Sequence, residues 1–141
     1  MIMDDQQIEQ EIEAKGANVA PRITPADLEA NIISEHYFTA AEGLAGREVA
    51  PITNAPQALS LLTFCVLILR NGFTVTGESA CASPENFNAE IGRKIARQNA
   101  VAKIWPLLGY ELRSYFKPLS PVASRVGELS KTHPKGEDGL A

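Results

Sequence analysis

The dipeptide Asn71-Gly72 stands between two apolar, β-branched runs, residues 59–69 and 73–79. Both of its residues adopt positive φ angles at low energetic cost, so the chain can reverse its direction within two residues. The sequence therefore predicts an antiparallel β-hairpin, and a two-residue turn would place Cys65 opposite Glu78. Because the hairpin lies near the middle of the chain, the other elements are expected to pack around it.

The two faces of this hairpin carry different apolar side chains. We assign to the core the face that carries Phe64, Val66, Ile68, Phe73 and Val75. Leu67 and Leu69 then point away from the core, as an uncovered apolar strip of the kind that marks interfaces. We therefore expect a homo-oligomer, a dimer or a tetramer, unless the C-terminal segment folds back over this strip.

A helix is predicted ahead of the hairpin. Thr24, Pro25 and Asp27 supply an N-cap, a proline at the first helical position and an acidic residue three positions after the cap. This helix is expected to end near Glu35. A short strand at residues 36–39 follows it.

A second helix is predicted after the hairpin, from Ser83-Pro84 to about Ile104, with Pro106 stopping or kinking it. Its inward stripe at helical spacing would consist of Phe87, Ile91, Ile95 and Ala102. Together these elements predict an α+β fold with a helix, a short antiparallel three-stranded sheet around the Asn-Gly hairpin, and a long C-terminal helix.

Charge and composition divide the chain into three parts. Residues 1–20 carry five acidic side chains and one lysine. Their net charge of −4 equals the net charge of the whole chain. We interpret them as an acidic flexible leader, residues 21–117 as the domain, and residues 118–141 as a flexible tail. The domain is electrically neutral, so a long nucleic acid is not expected as a partner. No apolar run approaches the roughly 20 residues that span a membrane.

Enzymatic chemistry finds little support in this sequence. Ser79 lies in a partial nucleophile-elbow pattern without the closing glycine. The only histidines are His36 and His133, and no cluster of Cys and His has the spacing of a zinc site. We therefore predict that the protein is not an enzyme and uses no metal or cofactor.

An anion site is predicted where the hairpin leads into the last helix, along Gly77 to Asn86. Backbone N–H groups at a helix N-terminus attract anions. Arg93 and Arg97 present two guanidinium groups one turn apart, with Lys94 beside them, and such groups match phosphate oxygens. The alternative is a solvated face on which Arg93 and Arg97 pair with Glu90 and water. The candidate nucleotide-binding residues are Ser79, Ser83, Asn86, Arg93, Lys94, Arg97 and Tyr110.

Aromatic side chains could stack on a nucleobase. The candidates are Tyr37, Phe38, Trp105, Tyr110 and Tyr115. Trp105 falls near the apolar stripe of the helix, which favours a role in the core. Arg47, in an irregular loop with glycines and prolines, is the next cation to consider if the helix does not form the site.

Three sequence blocks resemble a family of small proteins that tailed phages and prophages encode widely. They are NGFTVTGESA, NF..EIGRKIA..NA and KIWPL.GY, and the opening ITPADLEANIISEHYFTA also fits the family. The resemblance covers roughly residues 21–112. It implies an oligomeric sponge that sequesters nucleotide immune signals, such as cyclic dinucleotides, in the cytoplasm of the infected bacterium.

Two other functions are kept as alternatives. The order helix, three strands, helix is that of a double-stranded-RNA-binding domain, and Arg93, Lys94 and Arg97 open the last helix much as basic residues do there. The neutral domain argues against this reading. The third possibility is an interaction protein that blocks a host protein through an exposed apolar patch.

Overall fold

The computed structural model describes residues 3–46 and 56–117. In chain order the elements are α1 (Asp5–Ala14), α2 (Pro25–Asn31), β1 (Ile32–Thr39), α3 (Ala40–Ala45), α4 (Gln57–Ser60), β2 (Leu62–Leu69), β3 (Thr74–Ala80), a 3₁₀ turn (Pro84–Asn86) and α5 (Ala89–Phe116). The three strands form one antiparallel sheet in the order β1-β2-β3, and α5 packs across it. This confirms the predicted α+β fold, while the oligomeric state stays a prediction.

Helix α2 begins as predicted and ends earlier. The Asp27 backbone N–H donates to Thr24 Oγ1 at 3.1 Å, and the Thr24 N–H donates to Asp27 Oδ2 at 2.9 Å, which completes a capping box. The helix stops at Asn31 instead of continuing to Glu35. The β-branched Ile32 begins β1 because it pairs there with the end of β2.

The hairpin turn is one residue longer than predicted. The Leu69 N–H donates to the Phe73 carbonyl and the Gly72 N–H donates to the Leu69 carbonyl, both at 2.8 Å, and Gly72 has a φ of 86°. This is the pattern of a three-residue loop with a left-handed glycine. Cys65 therefore lies opposite Gly77, and its predicted pairing with Glu78 was wrong.

On β2 the core lies on the opposite face from the one predicted, whereas Val75 of β3 belongs to the core as predicted. Cys65 and Leu67 are fully buried and Leu69 is 4% exposed, so the expected apolar strip of Leu67 and Leu69 is in fact the core. Phe64, Val66 and Ile68 lie on the other face and are half-buried. Because both faces of β2 are apolar, alternation alone could not decide which one α5 covers.

Helix α5 starts later than predicted and buries a different stripe. Asn88 is its N-cap, and its Oδ1 accepts the Ile91 N–H at 3.0 Å. The buried residues recur every four positions: Gly92, Ala96, Ala100, Ile104 and Leu108. Ile91 and Ile95, predicted to face the core, are 55% and 42% exposed. The helix also continues through Pro106 to Phe116, so its predicted end near Ile104 was wrong.

The segment predicted as a flexible leader contains helix α1. A capping box between Asp4 and Gln7 begins it, and it lies against the domain through Glu9 and Arg22. The division of the chain into leader, domain and tail stays a prediction, and residues 118–141 lie outside the described residues. No helix in the described ranges has the length and apolar character needed to cross a membrane.

Candidate functional site

The predicted anion cradle between β3 and the last helix is arranged differently from expectation. Ser83 begins only the 3₁₀ turn, and its hydroxyl donates to the Glu85 carboxylate. Asn86 ends that turn and is exposed, while Ser79 is half-buried in β3 opposite Thr63. Since α5 begins at Ala89, its first N–H groups do not lie beside Ser83 as predicted.

Arg97 is bound by two carboxylates of its own chain. Its two terminal nitrogens donate to the two oxygens of Glu29 at 3.1 and 2.8 Å, and its Nε donates to Glu35 at 2.8 Å. The hydrogen bonds that Arg97 donates to Glu29 and Glu35 raise the pKa of Arg97, and those to Glu29 lower the pKa of Glu29. The Arg97 guanidinium is therefore engaged by two carboxylates, and the three side chains together have a net negative charge.

Lys94 also has a carboxylate partner. Its Nζ lies 2.9 Å from Glu90, one helical turn earlier, and both side chains are largely exposed. The hydrogen bond from Lys94 lowers the pKa of Glu90. The cation that pairs with Glu90 is therefore Lys94, whereas the alternative drawn from the sequence paired Glu90 with Arg93 and Arg97.

Arg93 differs from its two neighbours. Among the described residues it forms no ion pair within 4.0 Å. It lies at the rim of an open pocket of about 160 Å³ between the N-terminal part of α5 and the end of β1. The other residues that line this pocket are Tyr37, Phe38, Thr39, Glu42, Thr63, Phe87 and Ala89.

The pocket combines flat aromatic surface with hydroxyl groups. The Phe38 ring stacks on Phe64 at a centroid distance of 5.4 Å on the sheet face away from α5, so the aromatic surface beside Arg93 comes from Phe87. Pairing of β1 with β2 sets Thr39 opposite Thr63. Burial raises the pKa of Tyr37 to about 12. The pocket thus brings together an aromatic ring, threonine side chains and one cation.

Part of this pocket was missed by reasoning from the sequence. Tyr37 and Phe38 were candidates for stacking, whereas Thr39, Thr63 and Phe87 were not considered. The signal that could have found the two threonines is the register of β1 against β2, which the sequence does not show directly. Phe87 was assigned to the core stripe of the helix, but it precedes the helix.

Tyr110 does not join this pocket within one protomer. It lies 17 positions after Arg93 on the same helix, which corresponds to about 25 Å at a rise of about 1.5 Å per residue. Its side chain is 66% exposed and lines a separate pocket with Phe73 and Asn71 at the hairpin end. Arg47 lies outside the described residues.

The described ranges also hold no group of three His, Cys, Asp or Glu side chains that could share a metal ion.

Comparison with known proteins identifies a family. A family model described as "Phage protein (N4 Gp49/phage Sf6 gene 66) family" matches residues 23–116, from the residue before Thr24 to the end of α5. No curated protein and no solved structure matches the chain. The matched region contains the whole sheet and the Arg93 pocket, and it leaves out α1.

Proposed function

The chain belongs to the phage protein family of N4 Gp49 and phage Sf6 gene 66, and we propose that it is a non-catalytic sponge for nucleotide immune signals. In this proposal it acts in the cytoplasm of the infected bacterium. It binds small anionic nucleotides, cyclic dinucleotides above all, and so withdraws them from host signalling against the phage.

Arg93 is the observation that carries this proposal. Of the three cations at the start of α5, it is the one without a carboxylate partner among the described residues. It lines the pocket together with Phe87, the ring proposed to stack on a base, and with Thr39. A phosphate on the guanidinium would place the attached nucleoside beside the Phe87 ring.

The size of the pocket supports an oligomeric sponge. A volume of about 160 Å³ lies below the roughly 300–1,000 Å³ of pockets that enclose a drug-sized ligand. In this proposal one protomer provides part of the site, and a second copy supplies the rest. Phe38, Phe64, Val66 and Ile68 form an apolar strip on the sheet face away from α5, and Phe38 connects this strip to the pocket.

The RNA-binding alternative loses support from the ion pairs. The element order α2-β1-β2-β3-α5 does follow that of a double-stranded-RNA-binding domain. However, Lys94 and Arg97, two of the three cations it requires, are paired with acidic residues. If the protein instead blocks a host protein, the apolar strip would bind that protein and not a second copy of the chain. The oligomeric state distinguishes these two cases.

Native mass spectrometry of the protein mixed with cyclic dinucleotides tests the proposal. We expect an oligomer that carries whole ligands, and heat denaturation followed by chromatography should recover them intact. A sponge gains nothing from turnover, so recovery of linear products would contradict the non-catalytic part. A monomer that binds no nucleotide would contradict the proposal as a whole.

A further inference from the structure

Helix α1 lies in a groove formed by Arg22 and by residues of the family-matched domain. The floor and walls of the groove are Arg22, Ile23, Pro25 and Trp105. Ile23 and Trp105 are half-buried and pack against the core. The groove is thus a mainly apolar surface that also carries a cation, Arg22, and the indole N–H of Trp105.

Helix α1 occupies this groove with four residues at regular spacing. Asp5, Ile8, Glu9 and Ile12 line the space between the helix and the groove. Their positions, i, i+3, i+4 and i+7, are the anchors that an amphipathic helix uses when it binds in a groove. The contact therefore follows a known mode of helix recognition, in which the helix and the groove belong to one chain.

Two polar contacts fix the direction of α1. The Glu9 carboxylate accepts hydrogen bonds from both terminal nitrogens of Arg22, one of them at 3.0 Å. This is the least exposed ion pair in the described ranges, with side chains 18% and 24% exposed. The Trp105 Nε1–H donates to Asp5 Oδ2 at 3.2 Å. Groove and helix are complementary in charge.

The apolar part of the groove is only partly filled. An open cavity of about 250 Å³ remains between α1 and the groove. None of the residues of α1 is buried, and Ile8 is 44% exposed. Helix α1 has ten residues, and helices shorter than about 12–15 residues are marginal by themselves in water. An occupant with larger apolar side chains would therefore fill this groove better than α1 does.

We propose that this groove is a docking site for an acidic amphipathic helix of a partner protein, and that α1 is its built-in competitor. The partner helix presents carboxylates at the positions of Asp5 and Glu9, toward Trp105 and Arg22. It presents side chains larger than isoleucine at the positions of Ile8 and Ile12. Since α1 is tethered beside the groove at high effective concentration, only helices that fill the cavity better displace it.

Trp105 allows a direct test, because it is the only tryptophan in the chain and forms one wall of the groove. The full-length Glu9→Lys variant places a lysine against Arg22, which should drive α1 out of the groove. We expect its Trp105 emission to shift to longer wavelength. A synthetic peptide of residues 3–16, which contains no tryptophan, should bind in trans and reverse the shift.

The matched control is full-length Glu11→Lys, which makes the same change of charge on α1 at a residue that does not line the groove. It should keep the wild-type emission. Half-saturation of the wild type and of this control should need at least tenfold more peptide than half-saturation of Glu9→Lys. A peptide with Ile8→Phe should half-saturate Glu9→Lys at a severalfold lower concentration than the native peptide. Equal emission in both variants, no response to either peptide, or no gain from phenylalanine would overturn the proposal.

Discussion

Gly77 of β3 lies against Ala100 of α5 with no space for a side chain between them. A Cβ atom on Gly77 would stand 2.2 Å from the Ala100 backbone nitrogen and 2.2 Å from the Ala96 carbonyl oxygen. This contact lets the helix approach the strand closely. It also places the start of α5, and with it Arg93, beside the end of β1.

Replacement of this glycine should therefore destabilise the fold. In Gly77→Ala the backbone of α5 must move away from β3, and we expect a loss of about 3 kcal/mol or more, at the upper end of the range for overpacked cores. Urea denaturation measures this loss. The control is Gly109→Ala in the same helix, where a Cβ meets nothing within 4 Å. There we expect a gain of about 1 kcal/mol from helix propensity, and equal effects at both sites would contradict the close contact.

The Glu29–Arg97 pair predicts a dependence of stability on acidity. The hydrogen bond from Arg97 lowers the pKa of Glu29 below its ordinary value of 4.5. Because the pKa of Glu29 is lower in the folded state, its contribution to the free energy of unfolding is fully present above pH 4.5. This contribution is lost as the pH falls through the lowered pKa. Urea denaturation between pH 6 and pH 3 should therefore show a smaller loss of stability in Glu29→Gln than in the wild type. Parallel curves would show that the pair does not form in solution.

Tyr37 predicts a dependence at alkaline pH. Burial raises its pKa from the ordinary 10.0 to about 12. The neutral phenol thus stabilises the fold below pH 10, and this contribution is lost as the pH rises toward 12. Spectrophotometric titration should show a phenolate that forms near pH 12 and is absent from Tyr37→Phe. If the difference spectrum of the two proteins instead shows ionisation near pH 10, Tyr37 is not buried beside the Arg93 pocket.

The apolar strip of the outer sheet face predicts where an oligomer forms. Val66 is half-buried on that face, so Val66→Lys should dissociate the assembly into monomers near 15.2 kDa with native circular dichroism. Leu67→Lys provides the contrast, because it buries a charge in the core and should unfold the chain. Sedimentation of Val66→Lys at the wild-type size would remove the strip as the interface.

The comparison of sequence with structure shows which signals are local. The capping box at Thr24 and the reversal at Gly72 depend on neighbours in the chain, and both could be predicted. The faces of β2 depend on which side α5 covers, and two apolar faces give no local sign of that choice. The same holds for Ile91 and Ile95, since small residues on the neighbouring face fit the sheet better.

The candidate site was predictable only in part, for a related reason. Arg93, Lys94 and Arg97 look equivalent in the sequence as cations at the start of one helix. Their difference arises from Glu29 and Glu35, which are more than 60 positions away from Arg97 in the chain. Long-range ion pairs of this kind decide which cation remains for a ligand, and no local pattern encodes them.

Titration calorimetry with a cyclic dinucleotide on Arg93→Ala tests the central proposal most directly. We expect binding to weaken by about 10- to 150-fold, the effect of losing a charge-assisted hydrogen bond of about 1.5–3 kcal/mol. Lys94→Ala, the matched removal of a cation already paired with Glu90, should bind almost as the wild type does. Equal affinity of Arg93→Ala and wild type would contradict the assignment of the ligand site to the Arg93 pocket.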